Sequence, residues 1–155
     1  MGDLAAIILA AGKGTRMKSD KAKVLHELGG VPMICYVVET AMAVVDKVVV
    51  VIGHQAEAVR EVLRGYPSVR FAVQEEQLGT GHATMTAIQE IPAHIQDAVI
   101  LCGDTPLIKG ETIRALIEAH RACKTDLTLA TTRLEQPVGY GRIVTDEQGH
   151  IVRIV

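Results

Sequence analysis

Tryptophan is absent from this 155-residue chain, phenylalanine occurs once and tyrosine three times. So few aromatic rings leave little surface on which the bases of single-stranded nucleic acid could stack. An excess of one charge is missing too: 16 basic and 18 acidic residues give a net charge of −2. Nothing in that balance recruits a nucleic acid or an acidic membrane. The three cysteines, Cys35, Cys102 and Cys123, lie far apart and form no metal-binding or redox spacing. With no signal peptide ahead of them, they read as buried or free thiols of a protein in a reducing cytoplasm. The apolar runs at Leu4–Ala11 and Val48–Ile52 are too short to cross a bilayer. Internal repeats, linkers and low-complexity tracts are also lacking. What is present is a soluble composition, 48% hydrophobic and 22% charged. A single domain of this length buries roughly two thirds of its unfolded surface.

Two periodicities alternate along the chain. The short runs "LAAIILA", "KVVVVI", "AVILC" and "LTLAT" predict strands buried on both faces, the habit of a parallel sheet. Between them stand helical stripes. Ile34, Val37, Val38 and Ala41 follow Pro32, a good first helical residue. Val59, Val62 and Leu63 form a shorter stripe that Gly65 can close, and Ile113, Leu116, Ile117 and His120 form a third. Strand and helix in alternation predict an α/β fold with a doubly wound, mostly parallel, Rossmann-like sheet. The tail "GYGRIVTDEQGHIVRIV" alternates apolar and polar residues about Glu147-Gln148-Gly149, which predicts a C-terminal hairpin. The chain stops at Val155 inside that apparent strand, so residues 1–155 are expected to be a domain incomplete at its C-terminus.

In such a sheet ligands sit beyond the carboxyl ends of the strands. The first strand runs straight into Ala11-Gly12-Lys13-Gly14-Thr15-Arg16. Gly12 and Gly14 let the main chain approach an anion, and exposed backbone N–H groups can cradle phosphate oxygens. Lys13, Arg16, Lys18, Lys21 and Lys23 add cations close by. The plainer alternative is a basic, solvated surface loop. The spacing fits neither the P-loop nor the dinucleotide fingerprint, whose third glycine is replaced by Met17.

Several motifs in order carry a resemblance. "LAAGKGTRM" with Lys23 in "AKVLHELGG" is similar to the signature of sugar nucleotidyltransferases. "QEEQLGTGHA" from Gln74, "GDTPLI" from Gly103 and "PVGYGRIV" from Pro137 narrow it. Together they resemble the uridyltransferase domain of the bifunctional bacterial enzymes that make UDP-N-acetylglucosamine for cell-wall precursors. The first motif alone would also suit the guanylyltransferases of molybdenum-cofactor synthesis.

The resemblance implies roles residue by residue. Leu9, Ala10, Ala11 and Gly12 would meet uracil and ribose through the main chain. Lys23 and Arg16 would face the triphosphate as the catalytic cations, where charge builds on the transferring phosphorus. The family usually has proline before this lysine; here it is Ala22, which implies a looser loop. Gln74, Gly79 and Thr80 match the uracil-reading site, an amide offering both donor and acceptor to the imide edge. Thr80 could equally cap a helix beginning near Gly81, and His82 reads better as a solvated helix-surface residue than as a general base. Cys102 and Gly103 would lie beside the nucleotide, Cys102 standing where some relatives carry an aromatic residue. Asp104 would bind Mg2+, its alternative being a turn aspartate before Pro106. Gly141 would approach the sugar. The family's later sugar-binding and metal-binding residues, and the β-helix acetyltransferase domain that makes full-length relatives trimeric, have no counterpart in the sequence.

The implied reaction takes UTP and N-acetylglucosamine 1-phosphate to UDP-N-acetylglucosamine and pyrophosphate, weakly or not at all in a piece of this length. Two other readings stay open: a nucleotidyltransferase for another base or sugar phosphate, and a nucleotide-binding module without chemistry. A dinucleotide-dependent oxidoreductase fails on the missing third glycine.

Overall fold

The computed structural model describes residues 3–14 and 17–155. They form two compact units, Met1–Thr125 and Asp126–Val155. The first is built on a four-stranded, wholly parallel sheet of β1 (Leu4–Leu9), β4 (Lys47–Ile52), β5 (Val69–Val73) and β6 (Asp97–Cys102), in the order β5-β4-β1-β6. Two-residue strands β2 (Glu27–Leu28) and β3 (Val31–Pro32) pair in a small antiparallel ribbon. The helices are α1 (Met33–Met42), α2 (Ala56–Val62), α3 (Thr80–Ile88) and α4 (Gly110–Cys123).

The continuous apolar runs of β1 and β4 are explained by the layers on both faces. β6 departs from that expectation: at this edge of the sheet Ala98, Ile100 and Cys102 are exposed, so only one of its faces is buried. Leu4, Ala6, Ile8 and Ala10 of the β1 region pack in one core with Ile34, Val37, Val38 and Ala41 of α1, Val59 of α2 and Ile113 of α4. Ile7 and Ala11 point the other way, joining Val49, Val51 and Ala72 beneath Ala83 and Ala87 of α3. Period-two alternation thus sends successive β1 side chains into different cores, so neither face can be polar. Each fully buried valine or isoleucine here is worth about 1.5–3 kcal/mol of burial.

The three helical stripes read from the sequence are α1, α2 and α4. Helix α1 begins at Met33, with Pro32 just before it in β3. Helix α2 ends at Val62, and Gly65 beyond it does not adopt a left-handed conformation. Two strand expectations are corrected. "LTLAT", residues 127–131, forms no strand, and the fourth strand of the sheet is instead β5, "VRFAV", which pairs with β4. A strand exists only where a neighbour completes its hydrogen bonds. Arg70 inside β5 is exposed, and that polar residue hid the run from a search for continuous apolar segments.

The second unit contains the expected hairpin: β7 (Ile143–Thr145) and β8 (Ile151–Ile154) pair antiparallel. Asp146 organises its turn, one carboxylate oxygen accepting from the N–H groups of Gln148 and His150 at 2.9 and 2.8 Å. Among the described residues no helix is long and apolar enough to cross a membrane.

The chain enters at β1, builds outward through β4 to β5, and returns to lay β6 on the other side of β1. That reversal opens a crevice between the carboxyl ends of β1 and β6. Gly103 closes its base. Its N–H donates to Leu9 O at 2.9 Å, extending the ladder, and a Cβ there would come within 2.9 Å of Ile34 Cδ1 and 3.1 Å of Leu9 O. Gly103→Ala should therefore destabilise the domain by about 1–3 kcal/mol, read as a fall in the midpoint of urea unfolding. An unchanged midpoint would show that the junction has slack.

Candidate active site

A cleft of about 380 Å³ lies at this crevice. Leu9, Ala10, Ala11, Gly12, Lys23, Gln74, Gly79, Thr80, Cys102 and Asp104, all expected from the sequence, line it. Gly103 is buried beneath Asp104 rather than lining the wall. Arg16 lies outside the described residues. Gly141 belongs to the second unit, just before β7, so close to Ile154 that a Cβ would come within 2.7 Å of its Cγ2. A second hollow of about 650 Å³ between α1 and α4 is broader and shallower. Its charged residues already have partners: Lys109 and Glu111 pair at 3.5 Å, Glu39 accepts from the Tyr66 hydroxyl at 2.6 Å and Arg114 donates to Ala43 O at 3.0 Å. Among the described residues none of those expected at the site lines it.

Three segments build the cleft. The first is the main chain after β1, held between its neighbours: Ala10 N–H donates to Val51 O at 2.9 Å and Ala11 O accepts from His54 N–H at 3.2 Å. Among the described residues, its chain neighbours aside, no atom lies within 4 Å of where a Cβ on Gly12 would sit, so the backbone there is open to a ligand. Gly14 is constrained differently. It has φ +61°, and a Cβ would lie 2.7 Å from Lys23 Cβ.

The second segment is the single 3-10 turn Lys23–Leu25, anchored by buried Val24 and Leu25, which leaves Lys23 at the rim. Its Nζ donates to Asp104 Oδ2 at 2.6 Å, joining residues 81 apart in sequence. Asp104 stands directly past the end of β6, half-buried, with its other oxygen taking no hydrogen bond among the described residues. Beside it the Cys102 thiol, though it reaches solvent, is pushed above its ordinary value, chiefly by desolvation and then by the Asp104 carboxylate, with Lys23 opposing.

The third segment is the α3 entrance. Gln74 is a buried polar side chain, 4% exposed. Its Nε2 donates to Gly79 O at 3.1 Å and lies 2.9 Å from His82 Nδ1. A carbonyl can only accept, so the nitrogen must face Gly79, and His82 Nδ1 becomes the second acceptor, which places the ring proton on Nε2. This revises two expectations. Both amide hydrogens of Gln74 are committed within the protein, leaving its Oε1 as the group free to meet a ligand. His82, expected to be a solvated helix-surface residue, is half-buried with its Nδ1 against the Gln74 amide. The signal was available, since residues 74 and 82 lie either side of a Gly-Thr turn into a helix, but only the fold brings them to contact. Thr80 is not a cap either. Helix α3 starts at Thr80, and Gly79 precedes it with φ +99° and ψ −179°, a region open essentially to glycine alone. The Thr80 hydroxyl is therefore left for the cleft. Gly14, expected from the sequence to let the main chain approach an anion, also lines it, as do Met17, Val24 and Ala83, to which no role was given; small or apolar side chains carry no chemical signal by which to find them.

A buried amide acceptor, open main chain and a lysine–aspartate pair at a switch point can hold a base at one end and phosphates at the other. Among the described residues no cluster of three or more His, Cys, Asp or Glu could enclose a metal by itself. One half-buried carboxylate with a free oxygen nonetheless fits Mg2+, which takes one or two carboxylates and completes its shell with phosphates and water.

Comparison with known proteins agrees with this class. Residues 6–150 match the MobA-like NTP transferase domain, and the chain belongs to that family of nucleotidyltransferases. More particularly, it is 55% identical over 156 residues to the bifunctional protein GlmU of Geobacter metallireducens, covering 100% of this chain and 33% of that protein. It is 52% identical to the bifunctional protein GlmU of Desulfotalea psychrophila, covering 98% of this chain and 45% of that one. The chain thus spans a third to under half the length of these curated relatives. Among solved structures, HddC of Yersinia pseudotuberculosis complexed with GMP-PN superposes with a TM-score of 0.78 over 97% of this chain and 68% of that one; at 23% identity the likeness is one of fold.

The raised Cys102 thiol has a measurable consequence. A higher value means less thiolate at any given pH, so Cys102 should alkylate more slowly at pH 8 than an unperturbed peptide cysteine, with its rate rising only at higher pH. Alkylation at the peptide rate would show that neither burial nor Asp104 acts on it.

Proposed function

We propose that the cleft binds UTP and that the domain transfers its uridylyl group to N-acetylglucosamine 1-phosphate, giving UDP-N-acetylglucosamine and pyrophosphate for cell-wall precursors in the cytoplasm. The observation that carries the reading is the Lys23–Asp104 pair, assembled at the switch point within one cleft with the buried amide of Gln74. The 55% identity to a protein named GlmU favours this sugar nucleotide over others.

In this reading the base enters between the main chain of Leu9–Gly12 and the α3 entrance. Gln74 Oε1 accepts from the imide N–H of uracil, with Gly79 giving the base room. The phosphates then lie toward Lys23 and Asp104. A phosphate oxygen of the sugar phosphate attacks the α-phosphorus of UTP, the bond to the β-phosphate breaks, and pyrophosphate departs. The nucleophile is already ionised, so neither a protein nucleophile nor a general base is required. Lys23 and Arg16 stabilise the charge on the transferring group and the leaving pyrophosphate. Asp104 holds Mg2+, an ion that reduces the negative charge of bound phosphates. Lys23 must then exchange part of its contact with Asp104 for phosphate oxygens. The main chain at Cys102 and Gly103 borders the nucleotide, and Gly141 is assigned to the sugar.

Thermal stabilisation by UTP, CTP, GTP and ATP, with and without Mg2+, tests the nucleotide site. Ligand at a hundred times its dissociation constant adds about 2.7 kcal/mol. UTP should stabilise most, and Gln74→Ala should abolish the preference. A preference for GTP would transfer the site to a guanylyl donor, and no shift with any nucleotide would sink the reading.

Turnover tests the chemistry. In a chain extended to the length of its relatives, Lys23→Ala should slow pyrophosphate release by about 10²–10³-fold. Release at the parent rate would remove Lys23 from the mechanism.

A further inference from the structure

The side chain of Gln55 has no part in the cleft, yet it governs the approach to Lys23. Gln55 follows β4 and immediately precedes α2, with φ 56° and ψ 40°. A left-handed conformation is costly for a residue other than glycine and persists where surrounding contacts enforce it. Here the contacts are two. Gln55 Oε1 accepts from the N–H of Ala22 at 2.8 Å, and Gln55 Nε2 donates to the carbonyl of Asp20. One primary amide thus satisfies a donor and an acceptor on either side of Lys21, immediately before Lys23. Among the described residues no other side chain from outside the segment hydrogen-bonds the backbone of residues 17–22. Ala22 itself is wholly buried, and Gly14 lies so close to Lys23 that a Cβ on it would come within 2.7 Å of Lys23 Cβ. The Lys23 backbone therefore stands between the segment held by Gln55 and the buried Val24 and Leu25.

We infer that Gln55 is a positioning residue for Lys23: its amide clamps the Asp20–Ala22 backbone so that the lysine ammonium is presented at the phosphate end of the cleft. The inference rests on Lys23 facing the triphosphate. The backbone of Ala22 adds a second prediction. Its φ of −54° and ψ of 138° suit proline, which would stiffen this point without any partner. Proline has no N–H to offer Gln55 Oε1, and its ring would meet that oxygen. The amide clamp and a proline are thus alternative ways of fixing one segment, each made redundant or obstructed by the other.

The experiment measures calorimetric affinities for UTP and UMP with Mg2+ in the parent chain, Gln55→Gly, Ala22→Pro and the double variant, and amide exchange at Ala22 in nucleotide-free protein. Gln55→Gly suits the left-handed backbone, so it removes the clamp without straining the fold. It should weaken UTP by about five- to tenfold and leave UMP unchanged, because UMP lacks the phosphates that Lys23 serves. Ala22→Pro should recover about two- to fivefold in the Gln55→Gly background and give no gain in the parent. Ala22 amide protection should fall in Gln55→Gly and persist in Gln55→Glu, which keeps an acceptor oxygen. Equal losses for UTP and UMP, or additive effects of the two substitutions, would overturn the inference, as would undiminished Ala22 protection in Gln55→Gly. A parent that binds neither nucleotide would sink the proposed function instead, and the exchange comparison between Gln55→Gly and Gln55→Glu would then decide the clamp by itself.

Discussion

The pairing of β6 with β1 is the constraint on which the rest of this molecule depends. A parallel sheet built outward in one direction leaves its loops side by side with nothing between them. Laying β6 on the free side of β1 separates the loop after β1 from the loop after β6, and the gap becomes a binding cleft. The register of this pairing runs from Leu4–Asp97 to Leu9–Cys102. It puts Asp104 level with the main chain that follows Leu9, and Gly103 keeps the two close because a side chain there would strike Leu9 O and Ile34.

Around that junction the polar groups are arranged so that few are left over. Gln74 illustrates the economy of a buried amide: two hydrogens satisfied by Gly79 O and His82, and one oxygen that takes no hydrogen bond among the described residues of the cleft it lines. Leaving such a group unpaired in the core would cost about 1–3 kcal/mol, which is reason enough for His82 to sit where it does. The Lys23–Asp104 pair is different in kind. It is partly exposed, with side chains 42% and 32% open, so its worth as a staple is small and solvent-screened. A close ion pair that holds little of the fold together, at the mouth of a cleft, is available for exchange with a ligand.

Much of the architecture was legible in particular residues. The β1 and β4 runs are apolar because both of their faces are covered, whereas β6 at the sheet edge is covered on one face only, and the stripe Ile34, Val37, Val38, Ala41 marks the face that α1 buries. Gly149 announced the hairpin turn, where it adopts φ 87°. The misread segments are those whose state is decided by a neighbour. "VRFAV" is a strand because β4 offers it a free edge despite the exposed Arg70, and "LTLAT" is apolar enough but has no such partner. Thr80 looked like a cap by composition, whereas the turn is made by a backbone conformation at Gly79 that no residue pattern encodes uniquely.

By itself, then, the sequence determined the alternation of layers, the glycine-rich loop after the first strand and the chemical types of the cleft residues, because periodicity and side-chain chemistry are local properties. Only the tertiary structure decided that Lys23 meets Asp104 across 81 residues, that Gln74 spends both hydrogens inside the protein, and that Gln55 grips the backbone ahead of the lysine. Those contacts join segments far apart in the chain or turn on the direction of one amide. Strand order and backbone conformation set them, and neither is a property of any short stretch of residues.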